Sequence, residues 1–384
     1  MEGKNPILAS TDMCTGCMAC YNICPVQAIS RIENNNGFLY PTIDNTKCIK
    51  CLQCEKACPV LNNHENFNVP IKAFAGNTED SELSEASSSG GIFAEIAKQI
   101  LSSCGVVYGA EMQFTNGKVA VIHSRIDDEK DLYRLQGSKY VQSNISDSFK
   151  LVHNDLKNRK LVLFSGTPCQ IAGLYSYLNA KNIDLTNLYT IDIICHGVPS
   201  QALFQEYLNF LSKKYHDNIE AFIFRSKVKG WGPLIAEIKL TSGTNNYINY
   251  TKSSYYSFFL SGYAYRTSCY HCKYAGMERT GDLTIGDYWG VQKEEQFAIS
   301  NGKLNTQKGI SCIFVNSKKG ISLLKDYGEN LNLKQTAEIK IATHNSQLIK
   351  PSNNKVIRSK FILSKFRTNY ILLDFLHKVI PFIL

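Results

Sequence analysis

The chain has 384 residues, 44% of them hydrophobic and 20% charged, with 14 cysteines and a formal net charge of +9. This composition can bury a full-sized core, which excludes a mainly disordered protein, and no charge-free apolar run approaches the ~18 residues that a membrane-spanning helix needs. The opening MEGKNPILAS lacks the basic start, apolar middle and small-residue cleavage site of a signal peptide, so a reducing, cytoplasmic setting is expected and a disulfide framework is not.

Eight of the fourteen cysteines fall within the first 60 residues, in a repeat: CTGCMACYNICP (14–25) recurs as CIKCLQCEKACP (48–59), with every Cys and the final Pro offset by 34. C-x2-C-x2-C-x3-C-P is the run of bacterial two-cluster ferredoxins, in which three close cysteines serve one 4Fe-4S cluster and the fourth reaches the other. The expected ligand sets are Cys14, Cys17, Cys20 and Cys58 for one cluster, and Cys48, Cys51, Cys54 and Cys24 for the second. Soft thiolates suit iron-sulfur chemistry, and short loops aim backbone N–H groups at the cluster's negative charge. A zinc module would use four ligands in C-x2-C pairs rather than two identical four-cysteine runs. Between the runs, AISRIENNNGFLYPTID reads as two short strands about a Gly37 turn, too little to form a core, so the metal is expected to hold this head together.

Residues 60–70 are polar and end at Pro70, which marks a linker. Beyond it, segments rich in Val, Ile, Phe and Tyr predict strands at 106–112, 118–126, 160–166, 188–195, 221–226, 235–241, 282–289 and 310–315. Apolar residues at helical period predict helices at 91–101, 170–178, 203–215 and 319–331. The architecture expected is α+β: a two-cluster ferredoxin-like module over 1–65, a mixed α/β domain over 71–340 and a helical tail over 341–384. The tail is basic, with eight Lys/Arg and one acid (Asp374) over 340–384, and its segment 357–384 reads as helices packing on the body. It has no regular basic-aromatic interleaving, so nucleic acid is not an expected partner; weak peripheral membrane association is the lesser alternative.

No G-x-G-x-x-G follows a strand and no P-loop occurs. Ser87, Ser88 and Ser89 precede Gly90, Gly91 and an apolar helix, a start fit either to hold a phosphate or simply to cap the helix. QGSKYVQS (136–143) offers Ser138, Lys139, Tyr140, Gln142 and Ser143 as a charge, a planar face and hydrogen-bonding groups, or as an ordinary surface loop. In FSGTPCQIAGL (164–174), the Thr167-Pro168 turn follows a strand, and in open α/β sheets ligands sit outside the carboxyl ends of strands. Cys169, Cys195, Cys269 and Cys272 all fall near predicted strand ends or turns. Their number and type suit a third 4Fe-4S cluster, a four-cysteine zinc site or scattered core thiols. Cys104 and Cys312 read as core. His196 and His271 are proton donors or structural histidines, Arg279, Asp282 and Asp287 an ion network or an ordinary turn, and Trp231 and Trp289 core residues.

The two cysteine runs, the linker, SSSGG, GSKYVQS, SGTPCQIAGL, CHGVPS and the C-x-x-C before GDLTIGDYWG occur in one order. Together they resemble the coenzyme F420 hydrogenase/dehydrogenase beta-subunit family with an N-terminal 4Fe-4S ferredoxin domain. The resemblance covers nearly the whole chain, although the tail after about residue 340 matches only loosely. It implies a flavoprotein oxidoreductase with a non-covalent flavin, usually FAD, in the large domain, and in several members a further 4Fe-4S cluster. By that resemblance Ser88, Ser89, Gly90, Gly91, Ser138, Lys139, Tyr140, Gln142 and Ser143, with the turn at Thr167 and Pro168, become flavin contacts. Cys169, Cys195, Cys269 and Cys272 become the third cluster's ligands. The partners implied are ferredoxin or another redox protein and a small organic acceptor, which the resemblance does not identify. The competing reading is an electron-transfer subunit of a larger complex with no substrate of its own.

Overall fold

β1 (Ile29–Glu33) and β2 (Leu39–Ile43) pair antiparallel across the Gly37 turn, with Ile29 opposite Ile43, and bring the two cysteine repeats side by side. The computed structural model describes residues 4–62, 67–353 and 356–383, without the side chains of 356–358 and 379–383. Each repeat turns into its short helix, Ala19–Ile23 or Gln53–Lys56, through a left-handed residue, Met18 in one and Leu52 in the other, both at φ 59°. The sequence repeat is thus a repeat of backbone conformation. The head does not rely on metal alone: Cys17, Met18, Ala19 and Ile23 share one apolar cluster with Phe149, Val152, Ile171 and Leu174 of the body.

The expected linker falls partly on residues 63–66, outside the described residues. Its end is fixed to the body, since Asn68 and Arg279 exchange backbone hydrogen bonds of 2.8 and 2.9 Å and Ile71 N–H donates to Val315.

Eleven further strands follow: β3 (Lys72–Thr78), β4 (Val106–Thr115), β5 (Lys118–Ile126), β6 (Val162–Gly166), β7 (Leu188–Ile193), β8 (Ile219–Ile223), β9 (Ile235–Leu240), β10 (Asn245–Asn249), β11 (Leu283–Asp287), β12 (Ser311–Val315) and β13 (Leu331–Thr336). Eight of them form one mixed sheet in the order β13-β3-β12-β11-β7-β6-β4-β5, in which β4, β6, β7 and β11 run parallel. β8, β9 and β10 form a separate antiparallel sheet.

Successive side chains on a strand point to opposite faces, and the large sheet buries both. Val107, Leu163, Ile191 and Ile313 pack with the helices Ile92–Ser102 and Lys318–Tyr327, while Val106, Tyr108, Val162 and Phe164 pack with Ser148–Lys157 and Pro168–Ala180. The chain is therefore a mixed α/β protein in which helices cover both faces of a large mixed sheet.

Three expectations are corrected. The helix predicted over 319–331 ends at Tyr327; Gly328 closes it, and Leu331 begins β13. Cys104 is exposed rather than core, because it occupies a left-handed turn (φ 58°) just beyond the helix Ile92–Ser102; Cys312 is fully buried in β12 as expected. The strand predicted over 221–226 is shifted, since it starts at Ile219 and ends at Ile223.

The tail forms two helices, Val356–Lys365 and Tyr370–Ile383, and Ile362, Phe366, Tyr370 and Leu373 join the core of Tyr207, Phe222 and Tyr255. Arg367 also pairs with Glu33 of the head. Among the described residues, no helix is long and apolar enough to cross a membrane.

Candidate redox site

The carboxyl ends of three parallel neighbours, β6, β7 and β11, lead into Cys169, Cys195 and Asp287 respectively. One strand further, Ser311 at the start of β12 lies opposite both Asp287 of β11 and Gly76 of β3. The Ser87–Gly91 loop closes over that point. Gly90 N–H donates to Ser311 Oγ (2.9 Å), and a Cβ at Gly90 would come within 2.4 Å of the Gly76 carbonyl oxygen, so only glycine fits. One edge of the sheet thus carries the serine-glycine loop at one end and the cysteines at the other, the edge where ligands bind in open α/β sheets.

Thiol neighbours act on one another's ionisation, and these couplings sort the cysteines into groups. Burial first, then Cys58 and Cys14, push the Cys17 thiol up to about 12; Cys20 is raised by burial and by Cys17, Cys14 and Cys58. Burial lifts Cys54 to about 11, with Cys51 and Cys24 adding to it. A small cavity of about 20 Å³ is lined by Cys24, Cys48, Cys51 and Cys54 together with Pro6, Ile29 and Ile43. Among the body cysteines, burial pushes Cys269 up to about 12 with help from Cys272 and Cys169, Cys169 is raised by burial, Cys272 and Cys195, and Cys195 by burial, Cys269 and Cys272. Cys169, Cys195, Cys269 and Cys272 are brought together from the ends of β6 and β7 and from the turn Thr267–His271, which Cys272 closes.

These groups are not isolated from each other. Cys54 acts on Cys20, and Cys17 acts on Cys169. The three sets therefore follow one another from the exposed Cys51 to the sheet edge. Among the described residues, no group of three or more His, Cys, Asp or Glu could hold a single metal ion. A four-iron cluster instead takes one thiolate per iron, and a metal would displace the protons that burial holds on these thiols.

The residues expected to touch a flavin divide into two places. Ser88 Oγ accepts Ser138 N–H at 2.7 Å, so the serine-glycine loop and the Gly137-Ser138-Lys139 turn meet directly. Burial lowers Lys139 to about 7 although its Nζ donates to the Arg134 and Gln136 carbonyls. Lys227, lowered by burial to about 8, donates to the carbonyls of Ser84, Ser89 and Lys308. Two lysines held short of full charge beside a loop where only glycine fits match the phosphate end of a nucleotide. Tyr140 stacks on Phe259 (centroids 4.4 Å apart), and its hydroxyl accepts from Arg225.

Gln142, Ser143, Thr167 and Pro168 lie elsewhere. Gln142 Nε2 donates to the Thr15 carbonyl of the head, Gln170 donates to Ser143, and Thr167 caps the helix Pro168–Ala180 while contacting Cys169 Sγ at 3.1 Å. These groups are spent on fixing the head and Cys169 in place.

Arg279, Asp282 and Asp287 do not form one network. Arg279 pairs with buried Asp192 at 2.9 Å, Asp282 accepts from Thr190 and Ser317, and Asp287 pairs with Arg225 at 2.7 Å and takes the Trp231 Nε1–H. Trp231 is core as expected and stacks on Trp289. His196, lowered by burial, feels Asp287, whereas His271 is exposed.

Arg266, which no motif marks, is the residue that ties the head to the body. Its Nε donates to the Cys14 carbonyl (2.7 Å), its terminal nitrogens to the Leu39 carbonyl and Gln142 Oε1 (each 3.1 Å), and one of them points at Cys14 Sγ (3.7 Å). Its partners lie up to 252 residues away, so local spacing holds no trace of it.

Comparison with known proteins agrees with this arrangement. Residues 159–339 match the family described as the C terminus of the coenzyme F420 hydrogenase/dehydrogenase beta subunit, and residues 13–62 match a 4Fe-4S dicluster domain. An uncharacterized protein of Methanocaldococcus jannaschii is 23% identical over 375 residues, covering 86% of this chain and 92% of its own. An uncharacterized polyferredoxin-like protein of the same organism is 33% identical over 78 residues, 16% of this chain and 46% of its own. A chain of the F420-reducing NiFe hydrogenase complex of Methanosarcina barkeri aligns with a TM-score of 0.48 at 12% identity, covering 79% of this chain and 92% of that one. The chain belongs to the coenzyme F420 hydrogenase/dehydrogenase beta-subunit family and carries an N-terminal 4Fe-4S dicluster domain.

Proposed function

We propose that this iron-sulfur protein is an oxidoreductase relay. Electrons from a one-electron carrier such as ferredoxin enter at the Cys51 end of the head, pass the Cys14 set and the Cys169 set, and reach a flavin at the sheet edge that serves a small organic acceptor; the reverse direction uses the same parts. The observation that carries this is the unbroken succession of cysteine sets, Cys54 beside Cys20 and Cys17 beside Cys169.

Each set supplies four thiolates to one 4Fe-4S cluster: Cys24, Cys48, Cys51 and Cys54; Cys14, Cys17, Cys20 and Cys58; and Cys169, Cys195, Cys269 and Cys272. Bound there, clusters carry single electrons, and a flavin, FAD by the family's usage, couples them to two-electron chemistry. The chain's own residues position and shield. Ser88, Gly90, Gly91, Ser138, Lys139 and Lys227 form a cradle for the flavin's phosphates. Arg225 holds Asp287 and Tyr140 in fixed geometry between that cradle and Cys195. His196, next to Cys195 and facing Asp287, is placed to hand a proton to a reduced acceptor.

A second reading is favoured by the tail, where Ile371 and Phe375 are 69% and 60% exposed on a helix carrying Lys378. Those side chains suit a face covered by a partner protein, in which case the chain hands its electrons on and has no acceptor of its own.

Replacing Cys17 by Ala tests the relay. Turnover driven by reduced ferredoxin should be abolished while dithionite still reduces the flavin; equal loss of both would make the head structural.

A further inference from the structure

Three arginines are almost fully buried, and one differs from the others. Arg279 pairs with Asp192 and Arg225 with Asp287, but Arg266, 1% exposed, forms an ion pair with no carboxylate among the described residues. Its donors meet the carbonyls of Cys14 and Leu39, the Gln142 amide oxygen and the Cys14 sulfur, and the Tyr40 ring lies 4.0 Å from its guanidinium carbon. A guanidinium removed from water without a counter-charge is strongly disfavoured. Neutral carbonyls and a ring face satisfy its hydrogen bonds but not its charge.

The head's own symmetry sharpens the point. The two repeats present matching cysteine frames, down to the left-handed Met18 and Leu52. Arg266 breaks that equivalence: it reaches Cys14, and among the described residues no arginine makes a corresponding hydrogen bond to Cys48, its counterpart in the second repeat. Gly16 allows the approach, since a Cβ there would lie 2.9 Å from Arg266 Nη1. The reduction potential of a thiolate-bound cluster depends on nearby charge and on hydrogen bonds to its sulfurs, and Arg266 offers both to one side of the head only.

We propose that Arg266 is a positioning residue that acts as the counter-ion of the Cys14, Cys17, Cys20 and Cys58 centre and makes it the more easily reduced of the two head centres. The inference rests on the reading that these four cysteines hold a cluster. An electron entering at the Cys51 end then settles one step inward, at the centre beside Cys169, instead of at the solvent-exposed one. Arg266 does this from the body, three residues before Cys269, so the bias exists only while the head is docked.

The test is potentiometric reduction of the anaerobically reconstituted full chain, followed by electron paramagnetic resonance, with iron and sulfide measured on the same samples. The Cys14 centre is identified as the signal whose shape changes in Cys14→Ser. In the native chain this signal should develop before that of the other head centre. In Arg266→Gln with full iron, its reduced-to-oxidised ratio at the native midpoint should fall about tenfold, which is about 59 mV for one electron, with the other head centre unmoved. Arg266→Lys keeps the charge and should fall less than about threefold, on the same conversion.

Unchanged midpoints in an iron-replete Arg266→Gln overturn the inference, as does a native chain in which the other head centre is reduced first. Should Arg266→Gln fail to hold its clusters, Arg266→Lys and the native order of reduction decide. A native chain whose iron is too low to include this centre would instead overturn the cluster reading itself, and the inference with it.

Discussion

Cys17 and Gly173 are in direct contact across the boundary between head and body: a Cβ built on Gly173 would lie 2.8 Å from the Cys17 Cβ and 3.0 Å from its sulfur. Gly173 is one turn along the helix that begins at Pro168 and carries Cys169. The absence of a side chain at 173 is what allows the helix of the third cysteine set to lie against a ligand of the first.

Gly173→Val should therefore separate the two sets. The helical propensity of the site would change little, but overpacking a buried contact costs about 1–3 kcal/mol, and here the atoms that must give way belong to Cys17. Expected are a lower melting temperature and slower electron passage from head to body in a rapid-mixing reduction experiment. Native rates in this variant would contradict the contact's role in the relay.

The loop after Cys272 depends on one buried ion pair. Asp192 accepts from Arg279, from the N–H groups of Thr280 and Gly281 and from Thr280 Oγ1, and is fully buried. Arg279→Met leaves that carboxylate without its charge partner, which costs about 3–5 kcal/mol. Thermal unfolding should show the loss, and iron analysis should show about four irons fewer per chain if the loop that carries Cys272 loosens. A variant of native stability would show that Asp192 is satisfied by the backbone alone.

Lys139 gives the proposed nucleotide cradle a pH dependence of defined sign. Its ordinary value is 10.5 and burial brings it down to about 7 in the free protein. Below about 7 the ammonium is present before a phosphate arrives. Above it, binding must take up a proton, so flavin affinity should be flat on the acid side and fall by up to about tenfold per pH unit on the alkaline side. Flavin fluorescence quenching across the pH range measures this. Lys139→Met should bind more weakly and lose the slope; a slope that survives the substitution would assign it to another group.

The tail is part of the fold. Tyr370 lies 6.0 Å from the Tyr207 ring and 5.7 Å from that of Phe210, and Asp374 accepts from Ser254 at 2.9 Å. Deleting residues 357–384 should expose this aromatic core and give aggregated protein on size-exclusion chromatography. A monodisperse, active truncation would mean that these helices serve only a partner.

What the sequence makes legible is what lies close together along it. The head's two cysteine frames, most strands of the large sheet and the turn at Thr167-Pro168 are local patterns, and each appears where periodicity or spacing predicts. β3 escapes such a reading because a strand between two others, pressed by Gly90, is built from Ala73, Ala75 and Gly76 rather than β-branched residues. β10 is a short polar strand at the edge of its sheet, and β13 directly follows a helix whose apolar pattern runs past Gly328. The order of the strands, the meeting of Ser88 with Ser138 and above all the reach of Arg266 to Cys14 join distant residues, and no spacing rule contains them.

The central claim is that three successive cysteine sets and a flavin cradle belong to one relay. Anaerobic purification followed by iron, sulfide and flavin quantification on a single sample tests it most directly. The account predicts about twelve irons per chain, four for each cluster, with one flavin. About eight irons would remove Cys169, Cys195, Cys269 and Cys272 from the relay, and iron without flavin would contradict the enzyme reading in favour of an electron-transfer subunit.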